Sequence, residues 1–167
     1  MKRIVLSITM IALVILLASC GAETLFLDDV RIETLTDTIA NALANDTDLP
    51  YEYIKDESGL TEDYFATPSY VNDSAVYYVR NVNNINEFGV YHVSEGRARE
   101  FAELLKKDYL LSSYEQNRDW YDSYIPEQTP KLRDAEVRVF GNYVVYAILD
   151  QADRRTLFDT VEKLLKI

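Results

Sequence analysis

The chain has 167 residues, with 28 acidic and 17 basic side chains and a formal net charge of −11. That balance repels the phosphates of nucleic acid and argues against nucleic-acid binding. The length is that of one domain able to bury its own core, and a single cysteine excludes an internal disulfide.

The first segment is Met1-Lys2-Arg3 followed by an apolar run from Ile4 to Ala18, interrupted only by Ser7 and Thr9. Basic flank, short apolar core and small-residue end are the layout of a signal peptide. At about 15 residues the run is shorter than the roughly 20 that a bilayer-spanning helix needs. Leu17-Ala18-Ser19-Cys20 resembles the lipobox of bacterial lipoproteins at all four positions. The resemblance implies a diacylglyceryl group on the Cys20 thiol and a cut just before it. A lone cysteine in an exported chain needs an explanation, and lipidation supplies one. Residues 1–19 are thus expected to be a signal peptide, and the lipid on Cys20 is expected to hold the protein on the extracytoplasmic face of the cell membrane. Loss of residues 1–19 removes Lys2 and Arg3 and no acid, which leaves 148 residues carrying −13.

Residues 20–30 read as the lipidated N-terminus and a tether, with Leu25, Phe26 and Leu27 apolar enough to dock. Ile32, Leu35, Ile39 and Leu43 recur at helical spacing and predict an amphipathic helix over about 33–45. Residues 50–74 look irregular and acidic, with Thr61-Glu62-Asp63 able to start a short helix. Val76-Tyr77-Tyr78-Val79 is β-branched and aromatic, hence a strand, followed by a turn at 82–86 and a second strand from Phe88 to Val93. Ser94 is the expected cap of a long helix with Ala98, Phe101, Ala102, Leu105 and Tyr109 on one stripe, running to about 122 before Pro126 and Pro130. Ala135, Val137 and Val139 alternate with Glu136 and Arg138, as in a half-buried strand. Phe140-Gly141-Asn142-Tyr143 signals a hairpin with glycine first in a type II′ turn. Tyr143 to Leu149 is almost wholly apolar, as in a central covered strand. Asp150 caps a last helix whose stripe is Leu157, Phe158, Val161, Leu164 and Leu165.

Both halves read strand, strand, helix, a weak internal echo. The economical architecture is an α+β fold: an antiparallel sheet of about four strands with helices packed on one face, preceded by the N-terminal helix. Residues 31–167 form a single domain in this reading.

The succession of N-terminal helix, acidic loop, strand, long helix, Tyr124-Ile125-Pro126-Glu127-Gln128 and the Gly141-Asn142-Tyr143-Val144 hairpin resembles a family of bacterial lipoprotein domains of unknown function, mainly Gram-positive. The resemblance spans roughly residues 30–165. It carries no catalytic set. Its loop at 46–72 is richer here in tyrosine and acid than the family's usual form. Members are often encoded near membrane O-acyltransferases, which implies an accessory role in O-acylation of envelope polysaccharides as the alternative function.

Chemistry-bearing motifs are sparse. His92 is the one histidine and lies in a predicted strand, Cys20 is consumed by lipid, and no Gly-x-Ser-x-Gly elbow occurs. Asp46-Thr47-Asp48 lacks the glycine and distal glutamate of a calcium loop. The five glycines are dispersed, so neither a phosphate loop nor a dinucleotide fingerprint is present. No catalytic, metal or cofactor-binding residue is therefore assigned. Asp119 and Asp122 share a helix face and would be the carboxylate pair of a small hydrolase, but nothing would keep either protonated as the acid. Trp120, Tyr121 and Tyr124 beside them are the candidate binding surface, since aromatic rings give apolar area with a polar tip. The expected function is a non-catalytic, membrane-anchored binding or adaptor module that contacts an envelope protein or glycan.

Overall fold

In the computed structural model, which describes residues 25–45, 52–57, 65–81 and 83–167, the first element is α1 (Ile32–Asn45). It is followed by β1 (Tyr53–Lys55), β2 (Val71–Val79) and β3 (Glu87–Val93). Cys20, the segment read as a signal peptide and the short helix expected at Thr61-Glu62-Asp63 lie outside the described residues. A long helix comes next: α2 (Ala98–Leu104), a π-helical segment (Leu105–Leu111) and α3 (Ser112–Tyr124), without a break. The short α4 (Thr129–Arg133), the hairpin β4 (Glu136–Phe140) and β5 (Tyr143–Ile148), and α5 (Gln151–Leu165) complete it.

The fold is α+β, and the sheet is antiparallel throughout in the order β1-β2-β3-β5-β4. It has five strands where about four were expected. The extra one, β1, is a three-residue edge strand inside the stretch read as irregular, too short to show alternation. β2 also starts earlier than expected, at Val71, because its first half is exposed and polar and its register slips between Val71 and Asp73.

Helices cover both faces of the sheet, which corrects the expectation of one covered face. Successive strand residues point to opposite sides. Ala75, Tyr77, Phe88, Val90, Val145 and Ala147 meet the stripe of α1 and that of α5. Their neighbours Val76, Tyr91, Val93, Val144, Tyr146 and Ile148 meet Phe101, Leu105 and Tyr109 of the long helix. β5 is buried at all six positions, as a strand covered on both sides must be. The apolar run from Tyr143 carried this information. The two strand–strand–helix units therefore send their helices to opposite faces, and the echo in the sequence is not a structural repeat.

Local chemistry explains the joints. The Asp150 carboxylate accepts from the backbone N–H groups of Ala152 and Asp153, both at 3.1 Å, and so caps α5. Ser94 does not cap the long helix. Its hydroxyl donates to the Tyr70 carbonyl at 3.2 Å, and a turn through Gly96 intervenes before the helix starts at Ala98. Phe140 pairs with Tyr143 across a two-residue loop in which Gly141 alone has positive φ, at 60°, as a type II′ turn requires. Part of the tether docks as expected. Phe26 bridges Lys166 and meets Phe140 edge-on at 5.7 Å between centroids, and the Leu27 N–H donates to the Leu165 carbonyl at 2.8 Å.

Candidate functional site

A cleft of about 340 Å³ opens where the start of β3 meets the π-helical segment. Its centre is Glu87, the first residue of β3. The Tyr109 hydroxyl, from the π segment, and the Tyr146 hydroxyl, from the middle of β5, each donate to Glu87 Oε1 at 2.6 Å. The two rings meet edge to face, 5.5 Å apart. No described residue donates to Oε2.

Each side chain is placed for a local reason. A π segment inserts extra residues into a helical turn and rotates the rest of the helix, and such segments gather at functional sites. Tyr109 and Leu110 are its last buried residues, and α3 has none. The helix thus leaves the sheet just after it delivers Tyr109, and the gap so formed is the cleft. Tyr146 lies opposite Gly89 in the β3–β5 register, and a Cβ at Gly89 would fall on its ring. The glycine lets the ring lie flat across β3 and carry its hydroxyl to Glu87.

Below the cleft, Asn86 is buried at 1 % exposure and fully engaged. Its N–H donates to Asn84 Oδ1 at 2.8 Å, its Nδ2 to the Tyr53 hydroxyl at 3.3 Å, and its Oδ1 accepts from Lys131 Nζ at 2.6 Å. Apolar walls come from Val79, Ile85, Leu132 and Ile148, and polar ones from Asp56, Asn84, Ser113 and Asn117. Tyr78 and Tyr121 add two more rings.

Burial is the main force on the titrating groups. It pushes the Glu87 carboxyl above the ordinary glutamate range, against the pull of the two tyrosine hydroxyls and with the help of the Asp56 charge. Tyr109 and Tyr146 are raised well above the ordinary phenol, first by burial and then by Glu87, so both remain donors. Burial also pulls the Lys131 ammonium down.

The aromatic trio expected as a surface stands at the edge of this cleft. Tyr121 lines it, while Trp120 and Tyr124 are exposed at 51 % and 71 %. Trp120 packs on Tyr121 at 5.3 Å and on Tyr124 at 5.4 Å between centroids. Asp119 points to solvent beside Arg118. Asp122 accepts from the Thr129 hydroxyl at 2.8 Å and ties α3 to α4. His92 lies near the far end of β3, about 16 Å along the strand from Glu87. There its Nε2 is 3.0 Å from Asp28 Oδ1, which also accepts from Asn142 Nδ2 at 2.9 Å. The His92 contact holds the Asp28 carboxyl below its ordinary range. These acids and His92 are not brought to one centre. Among the described residues no cluster of three or more His, Cys, Asp or Glu could hold a metal ion.

Glu87, Tyr109 and Tyr146 do not stand out in the sequence. Glu87 falls one residue before the expected strand, and each tyrosine reads as packing. A signal does exist: a tyrosine in an apolar strand and another on a helix's buried stripe each need a partner for the hydroxyl.

The family described as a domain of unknown function (DUF4358) matches residues 45–149, and the chain belongs to it. Every cleft residue named above falls inside that match, whereas α5 lies beyond it. No curated protein and no solved structure matches the chain.

Proposed function

Taking a DUF4358 domain as the premise, we propose that this protein is a lipoprotein anchored through Cys20 on the extracytoplasmic face of the membrane. There it works as a non-catalytic binding module of the cell envelope. The cleft beside Glu87 is its binding site, and Trp120, Tyr121 and Tyr124 extend the contact surface. The observation that carries the reading is a concave site of about 340 Å³ with converging polar groups, a desolvated carboxyl and apolar walls. The lipobox Leu17-Ala18-Ser19-Cys20 supports the anchor. The polar set supports binding over catalysis: the described cleft residues include Ser113 but no histidine or lysine to activate it.

Two measurements test this. Mass analysis of the mature N-terminus should find a diacylglyceryl group on Cys20, with Cys20→Ala appearing outside the membrane fraction. An unmodified Cys20 on membrane-associated protein would overturn the anchor. Affinity capture from crosslinked membranes should lose its enriched component when Trp120, Tyr121 and Tyr124 are all replaced by alanine. Unchanged capture would remove the aromatic surface from the reading.

A further inference from the structure

Two side chains that line the cleft each keep one polar atom without a partner among the described residues. The first atom is Glu87 Oε2. Glu87 Oε1 takes both tyrosine hydroxyls at 2.6 Å, and these bonds favour the ionised form, in which Oε2 can only accept. The second atom is Asn84 Nδ2. Asn84 is 7 % exposed and lines the cleft. Its Oδ1 accepts from the Asn86 N–H at 2.8 Å, which fixes the orientation of the amide and leaves Nδ2 as a donor. The strand start between the two is held on all sides. The Asn84 N–H donates to the Asn81 carbonyl at 3.0 Å, the Ile85 N–H to Gln128 Oε1 at 3.4 Å, and Lys131 Nζ to Asn86 Oδ1 at 2.6 Å. One donor and one acceptor, three residues apart, are thus set in place before any ligand arrives.

We propose that the cleft binds a secondary amide, its carbonyl accepting from Asn84 Nδ2, its N–H donating to Glu87 Oε2, and its carbon substituents lying against Ile85, Leu132 and Tyr78. The inference deepens the reading of the protein as a binding module and rests on it. A secondary amide carries one acceptor and one donor on opposite sides of a rigid plane. An ester or an anion offers acceptors alone and would leave Glu87 Oε2 unmatched. An ammonium offers donors alone and would leave the Asn84 amide unmatched. A hydroxyl can fill either role, but it brings no carbon on both sides for the apolar walls. At about 340 Å³ the site holds a molecule of modest size, such as an N-acetylated sugar or a short peptide unit.

The test uses the full lipidated protein in phospholipid nanodiscs and ligand-observed saturation-transfer NMR, with empty nanodiscs subtracted. N-benzylacetamide should bind about tenfold more tightly than benzyl acetate, which has the same shape and carbonyl but no N–H. Glu87→Gln keeps the volume and an acceptor for both tyrosines, and turns a donor toward the ligand N–H. It should abolish the preference for the amide. Asn84→Asp keeps the acceptor for the Asn86 N–H and removes the donor, and should weaken amide and ester alike by about tenfold. Equal affinity for amide and ester on the unmutated protein overturns the proposal and leaves the binding module standing. An amide preference that survives Glu87→Gln does the same. Displacement of N-benzylacetamide by N-acetylglucosamine or by N-acetylalanine methylamide supports the proposal and identifies the amide's source as sugar or peptide. Displacement by neither, or by glucose as well as by N-acetylglucosamine, overturns it. If no probe binds at all, the cleft is lost as a site and both readings fall together.

Discussion

Gly89 and Tyr146 face each other across β3 and β5, and the missing side chain of one makes room for the ring of the other. Gly89→Ala must displace the Tyr146 ring and its hydroxyl from Glu87. Overpacking of this kind costs about 1–3 kcal/mol, and denaturant titration should find a loss in that range. Glu87 itself gives a pH-dependent prediction. Burial raises its folded pKa above the ordinary value of 4.5, so just above that value the folded chain binds more protons than the unfolded one. Its contribution is fully present below pH 4.5 and falls as pH rises through the raised value. Glu87→Gln should therefore gain stability relative to the parent as pH increases from 4.5 toward neutrality. Asp28 acts with the opposite sign and at lower pH, because His92 depresses its pKa and its contribution is lost on acidification. The difference between parent and variant melting curves isolates Glu87. Identical pH profiles would contradict its desolvated placement.

Among the elements, α5 carries the clearest test. Val161 is fully buried against the sheet and α1 side. Val161→Asp buries a charge without a partner at a cost of several kcal/mol, against a total stability of about 5–15, and should abolish the cooperative thermal transition. The β4–β5 turn is a milder case. Gly141 has φ of 60°, and a Cβ there would sit 3.2 Å from Phe26 Cβ. Gly141→Ala should lower stability by about 1 kcal/mol in the same assay. The sequence made these elements legible because each has a strong period and a chemical punctuation mark: Asp150 before α5, Gly141 in the hairpin, Ile32 to Leu43 along α1. It hid β1, whose three residues are too few for a period, and the π segment, whose Leu105, Tyr109 and Leu110 still look like one helical stripe. The cleft was hidden for the same reason. It exists because the helix departs from the sheet after Leu110, and hydrophobic spacing does not report where a helix stops being covered.

Over the whole molecule the two faces of the sheet divide the work. α1 and α5 form a helical layer on one side, and the docked Phe26 segment ties the N-terminal end of the described chain to the end of α5. The long helix, β3 and β5 form the cleft on the other side. Leu25 lies five residues along the chain from Cys20, with four between them. Fully extended, those five steps span at most about 18 Å, so the proposed lipid on Cys20 would keep the domain close to the bilayer. The motif Leu17-Ala18-Ser19-Cys20 and the grouping of Trp120, Tyr121 and Tyr124 were visible in the sequence because each is a short local pattern. Glu87, Tyr109 and Tyr146 were not, being joined only when β3, the π segment and β5 meet.

The central proposal is that this cleft is where the protein binds. It is tested most directly by placing a photoreactive phenylalanine at Asn117, which lines the cleft, and at Asp159, exposed on α5 across the sheet, in living cells. After irradiation, mass analysis of the intact purified protein should find a discrete adduct from the Asn117 position that is absent from the Asp159 position. Equal adducts at the two positions, or none at Asn117, would contradict the account.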